Sequence, residues 1–284
     1  MTHSPGAERL FRIGRGNWEA FDSPINSVFA AAENWRRVLG DIEKPWLCWS
    51  VADDWSIVQQ RLVAGAGWTP VVGYDPRVGP PPAIADAVVF DFNQDLGLPV
   101  LYPHFILEFV FAFAEKLAFW HSDLLLTEAD MESFGAMFAG IEQDEMAAVV
   151  SPSGWQRWLP SRKRRYWELL GCTTRGASQS QFDHGCGWWM HFYCHPNAPP
   201  TKNQRFHWEY GCGVHHWKST FGGRIHDIPE QRISYGHFTR IGQKSYKAAA
   251  ENNVFRNLSR DIRSNYDLKD CTESLNLSHL LSVP

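Results

Sequence analysis

Two stretches of this chain carry residues able to do chemistry. The first is His121-Ser122-Asp123, set inside an apolar run. An imidazole and a carboxylate at i and i+2 fall on one side of an extended segment, where both can meet one hard divalent cation or its water. A polar strand end that caps the following turn would use the same residues. The second stretch is richer, since eight of the twelve His lie between His184 and His237. Within it, Cys186, His191, Cys194, His195, Cys212 and His215 offer sulfur and imidazole for a zinc or iron site. No CxxC pair is present, however, and His191-Phe-Tyr-Cys-His195 lacks the Glu of an HExxH motif.

Weaker signals surround these two. Gly171 to Ser178 combines small residues, hydroxyls and Arg175, a composition that can wrap phosphates with backbone N–H groups. Ser161-Arg-Lys-Arg-Arg165 is a local cationic run, suited to a diphosphate or simply to solvent. Trp188, Trp189, Trp208 and Trp217 can stack on sugar faces or fill a core. GxSxG, GxxxxGK[ST] and GxGxxG are all absent, which removes the nucleophile elbow, the P-loop and the Rossmann fingerprint.

Positioning these groups requires a scaffold, and the first half of the chain supplies its pattern. Val28, Ala31, Ala32, Trp35, Val38 and Leu39 recur at helical spacing, and Gly40 can end that helix, making 1–43 a helical cap. Short apolar runs at Trp46 to Val51, Thr69 to Asp75, Ala87 to Phe90, Lys116 to Trp120 and Ala147 to Val150 read as buried parallel strands. Between them fall a helix capped by Asp53 or Asp54, a turn at Asn93 to Gly97, a helix over 99–114 and another over 128–145. Strand and helix in this order predict an α/β domain over 44–150, with a mostly parallel sheet flanked by helices. Residues 151–244 read as loops and short strands forming a Trp/His-rich pocket over the sheet's carboxyl edge, and 245–284 as a C-terminal helical tail.

Composition narrows the options. The chain has 284 residues, 44% hydrophobic and 20% charged, which suffices for a real core. Its formal charge of −4 leaves no global positive field for a phosphate backbone, so nucleic acid is not an expected partner. The longest apolar stretch is too short to span a bilayer, and the six scattered Cys without a signal-like N-terminus predict a reduced, cytoplasmic setting.

The order of elements resembles the GT-A type of glycosyltransferase, the nucleotide-diphospho-sugar transferase fold. The resemblance runs through Trp46 to Val51, Val71-Val-Gly-Tyr-Asp-Pro76, Asn93-Gln-Asp-Leu-Gly-Leu-Pro99 and Phe119-Trp-His-Ser-Asp123, over roughly residues 44–150. The family's Asp-x-Asp motif appears here as His121-Ser122-Asp123, so only Asp123 matches residue for residue. The resemblance implies transfer of a sugar from a nucleotide-diphosphate donor to a hydroxyl acceptor, with a Mn or Mg ion at Asp123 bridging the donor phosphates. It further implies a base or ribose contact from Asp75, with Asp53 and Asn93 as further nucleotide contacts, while Arg175 of the Gly171 to Ser178 stretch is the candidate for a phosphate contact. A later metal ligand is expected at His237, with His215 and His216 as rivals. Asp183 or Glu209, each among aromatic residues, would serve as the base that activates the acceptor. A zinc or iron protein built on the 186–215 cluster and a non-catalytic carbohydrate-binding domain are the competing expectations.

Overall fold

The structure is a computed structural model that describes residues 24–50, 53–74, 79–92, 94, 106–150, 166–188, 211–238 and 267–281. Seven strands form one sheet: β1 (Pro45–Ser50), β2 (Thr69–Tyr74), β3 (Val88–Phe90), β4 (Lys116–Trp120), β5 (Glu145–Val150), β6 (Tyr166–Thr174) and β7 (Arg224–Pro229). Their spatial order is β3-β2-β1-β4-β6-β5-β7. Every pairing is parallel except those of β6, which runs antiparallel between β4 and β5. The fold is therefore α/β with a mostly parallel sheet flanked by helices, as the sequence predicts.

Alternation along β1 explains the layering. Leu47 and Trp49 face a core shared with Trp35 of α1 (Pro24–Leu39) and Phe113 of α3 (Val110–Phe113). Trp46 and Cys48 face the opposite core, with Val58 and Leu62 of α2 (Asp53–Gly65) and Phe134 and Phe138 of α4 (Glu128–Ala139). Burial on both faces is why the parallel strands are near-continuous apolar runs. Trp35 is wholly buried, so the N-terminal helix belongs to the main core.

Helix ends are set by local chemistry. Thr127 caps α4 by accepting from the Asp130 N–H, and Glu128 and Asp130 place negative charge at its positive end. At the other end Lys116 Nζ donates to the carbonyls of Phe138, Ala139 and Ile141 at 2.9–3.0 Å, which stops the helix at Ala139 rather than at the expected 145. The helix expected over 99–114 is interrupted as well. Turn residues Glu108 and Phe109 separate helical 106–107 from α3, and nearly every apolar side chain from Ile106 to Ala114 is buried. Burial on all sides erases the period that would mark a helix face.

The largest departure lies after residue 165. In place of a loop, Gly171 to Ser178 forms the end of β6 and the start of α5 (Arg175–Asp183). Gly171 is required there, because a Cβ would come within 2.4 Å of the Ala147 carbonyl oxygen and 2.5 Å of the Phe119 ring. The chain continues through α6 (Cys212–Phe221) and β7, and α7 (Leu268–Ser274) with a 3-10 turn at Ser278–Leu281 is the described part of the C-terminal helical region.

Candidate metal centre

From β1 the chain moves outward to β2 and β3, then crosses back so that β4 lies on the other side of β1. A crevice outside the carboxyl ends of β1 and β4 is thus a topological switch point, the usual location of ligands in open α/β sheets. His121 and Asp123 follow Trp120, the last residue of β4, and lie at that crevice.

The turn that carries them is fixed from three directions. His121 N–H donates to the Leu169 carbonyl of β6 at 2.9 Å, and Leu124 N–H closes the turn on the His121 carbonyl at 3.1 Å. Gln59 of α2, buried, uses its side-chain amide to bind both the His121 and Leu124 carbonyls at 3.0 and 2.9 Å. Beyond Asp123, Leu124, Leu125 and Leu126 are fully buried and anchor the stretch.

A second arm comes from the far edge of the sheet. After β7, two short 3-10 turns, Glu230–Arg232 and Ser234–Gly236, lead to His237. Leu125 N–H donates to the Gly236 carbonyl at 3.0 Å, Phe238 N–H donates to the Asp123 carbonyl at 2.8 Å, and Leu124 and His237 form an antiparallel bridge. Such close approach demands glycine at 236, where a Cβ would sit 1.7 Å from the Leu125 carbonyl oxygen. Phe238 packs on Trp55 with ring centroids 5.7 Å apart. Tyr235 Oη donates to Asp130 and accepts from the Thr127 N–H, latching the arm to the start of α4.

The two arms bring His121, Asp123 and His237 together. His121 Nδ1 contacts Asp123 Oδ1 directly, and His237 Nε2 lies 3.3 Å from the same oxygen. The two imidazoles are nearly perpendicular, with centroids 6.2 Å apart. One donor atom from each residue falls within 4.8 Å of the others, and this is the metal-capable group of His, Cys and carboxylates found among the described residues. The Asp123 side chain is 8% exposed while that of His121 is 34% exposed, so the carboxylate is sheltered and the cluster opens to solvent past His121. Burial alone would raise the Asp123 carboxyl, but the charges and hydrogen bonds of His121 and His237 outweigh it and hold the group below the ordinary carboxylate range. Burial likewise opposes charge on His121, yet Asp123, with Glu168 further off, raises that imidazole to about 9. An anionic oxygen between two imidazoles is a donor set that fits a divalent ion.

The other expected site residues are placed as follows. Asp53 opens α2 just after the carboxyl end of β1; its side chain, like Asp75, Asn93 and Glu209, lies outside the described residues. Asp183 is exposed at the end of α5 and accepts from Gln179 Nε2 at 2.8 Å. Arg175 pairs with Glu115 at 2.6 Å beside the first residue of β4, at the amino edge of the sheet opposite the crevice. His215 and His216 lie on α6, against Tyr166 and Thr220 respectively, and do not join the trio. In the 186–215 cluster, the Cys186 thiol is buried and pushed up to about 12 by desolvation and the Glu108 charge. His191, Cys194 and His195 are outside the described residues.

Sequence reasoning missed several groups at the same edge. Gln59 reads as one more polar helix residue. Glu168 reaches the site only because β6 is reversed, which puts its beginning at the carboxyl edge. Ser50, the last residue of β1, has a buried hydroxyl with no hydrogen-bond partner among the described residues. Tyr74, ending β2, has its phenol raised by burial and by the charge and hydrogen bond of Asp91, just past β3. Comparison of the chain with protein-family models, with characterised proteins and with solved structures returns no match. No helix among the described residues is long and apolar enough to cross a membrane.

Proposed function

We propose that this chain is a GT-A-type glycosyltransferase that moves a sugar from a nucleotide-diphosphate donor to a hydroxyl-bearing acceptor with a divalent cation, Mn or Mg, at His121, Asp123 and His237. One observation carries the reading: two stretches distant in sequence deliver three metal-capable side chains to the switch-point crevice at the end of β4. When bound, the cation would neutralise charge gathering on the departing nucleotide diphosphate. Asp123 would anchor the ion, His121 and His237 would complete the protein ligands, and the sugar end would lie on the exposed His121 side. Ser50, Tyr74 and Asp91 line the same edge toward β2 and β3, where a nucleoside would extend within reach of the Ser50 hydroxyl. The single base that the family resemblance implies would be Asp183 or Glu209.

Titration calorimetry with UDP and GDP tests this reading. Binding that requires Mn and disappears in Asp123→Ala is expected. Nucleotide binding indifferent to both Mn and Asp123 would refute the role of the cluster, and saccharide binding without donor turnover would mark a carbohydrate-binding module instead. Thermal unfolding of the variant controls for its folding, since a ligand specific to the folded state raises apparent stability.

A further inference from the structure

We infer that the site selects a first-row transition ion between Mn(II) and Zn(II) and discriminates against Mg(II) and Ca(II). This rests on the cation site proposed above and specifies its chemistry. The protein donors are two imidazole nitrogens and one carboxylate oxygen, drawn from His121, His237 and Asp123. Mg(II) and Ca(II) are hard ions that take oxygen ligands, and Mg(II) in addition gives up its waters reluctantly. Replacing two oxygens by imidazoles removes what those ions bind best and supplies what Mn, Fe, Co and Zn accept. Among the described residues no thiolate joins the group, so nothing there favours a soft ion such as Cu(I). The donors also come from one turn and one neighbouring arm, Asp123 being sheltered and His121 one-third exposed. Such one-sided coordination leaves open positions facing solvent for oxygen atoms of a substrate, so selectivity is set by the protein and not by the donor molecule.

The 284-residue chain, stripped with chelator, is titrated with Co(II), Zn(II), Mn(II) or Mg(II) alone, following heat and the visible Co(II) d–d absorption. One Co(II) or Zn(II) per chain is expected, bound at least about tenfold (about 1.4 kcal/mol) more tightly than Mg(II). The affinity should rise from Mn to Co in the usual order of divalent ions. His237→Gln should abolish the Co(II) spectrum, and His121→Asp, which restores an oxygen donor, should narrow the Co:Mg ratio. Equal affinity for Mg(II), lost together with Co(II) binding in Asp123→Asn, would overturn the selectivity and leave the cation site standing. No binding by the wild-type chain, or Co(II) binding that survives in both Asp123→Asn and His237→Gln, would overturn the site itself. Circular dichroism establishes that each variant is folded, and His237, more exposed than Asp123, carries the test if Asp123→Asn is not.

Discussion

Replacing Gly236 by alanine is the most direct perturbation of the candidate centre, because it touches no ligand. An added Cβ would meet the Leu125 carbonyl oxygen at 1.7 Å, whereas ordinary contact begins at 3.4 Å, so the arm must withdraw by about 1.7 Å. That withdrawal breaks the 3.0 Å bond from Leu125 N–H to the Gly236 carbonyl and strains the 2.8 Å bond from Phe238 N–H to Asp123. His237, the next residue, moves with it. Metal sites tolerate ligand displacements of only about 0.2 Å, so the ion effectively loses one of three protein ligands. Affinity for Co(II) or Mn(II) should fall at least about 10- to 100-fold, the range seen when supporting residues of metal sites are lost. Two weakened backbone hydrogen bonds add roughly 1–3 kcal/mol of destabilisation, visible as a few degrees in the melting temperature. Gly65→Ala is the control, since nothing lies within 4 Å of a Cβ there, and it should be neutral or slightly stabilising. Wild-type metal affinity and an unshifted melt in Gly236→Ala would refute the seating of the arm. A lowered melt with full metal affinity would refute the role of His237 alone.

Three further outcomes follow from other contacts. With metal chelated, the His121–Asp123 pair should stabilise the fold most between the ordinary carboxylate range and pH 6.5. The His121 contribution is fully present below 6.5, its unperturbed value, and is lost as pH rises through about 9; the Asp123 contribution is lost as acid protonates the carboxylate. After screening of a ring one-third exposed, His121→Asn should cost on the order of 1–2 kcal/mol at pH 6 and little at pH 10, measured by urea unfolding. Tyr235→Phe removes the latch to Asp130 and the Thr127 N–H, and should cost about 0.5–1.5 kcal/mol while weakening Co(II) binding through His237. Equal Co(II) affinity in Tyr235→Phe and the wild-type chain would sink the positioning role. Gly171→Ala should lower the urea midpoint by overpacking worth roughly 1–3 kcal/mol without altering the denaturant slope, because it presses on Ala147 and Phe119 in mid-sheet.

The parallel part of the sheet was legible because its strands are buried on both faces. Trp46-Leu-Cys-Trp, Val71-Val and Leu117-Ala-Phe-Trp carry that double burial as unbroken apolar runs. His121 and Asp123 were legible for a related reason: polar residues interrupting such a run mark where a strand ends. His237 followed only from the family resemblance, and its meeting with Asp123 depends on backbone bonds from Gly236 and Phe238 that no local pattern encodes. β6 was not legible at all. Its nine residues alternate poorly, since a bulge opposite Ala148 and Val149 shifts its register, and its antiparallel course is decided by partners far away in the chain. That failure turned Arg175 from the first residue of a helix at the amino edge into part of an imagined phosphate loop. Gln59 was hidden for the opposite reason, because a buried amide serving two carbonyls looks in sequence like any surface glutamine.

The division of the ligands between the β4 turn and the arm beyond β7 has a thermodynamic corollary. An ion held by both would act as a reversible staple across the sheet, tying its outermost parallel strand to its middle. Occupancy would then be written into the backbone itself: the Phe238 amide, bonded to the Asp123 carbonyl, should exchange its hydrogen more slowly as the ion saturates the site, by the factor that linkage between binding and local opening sets.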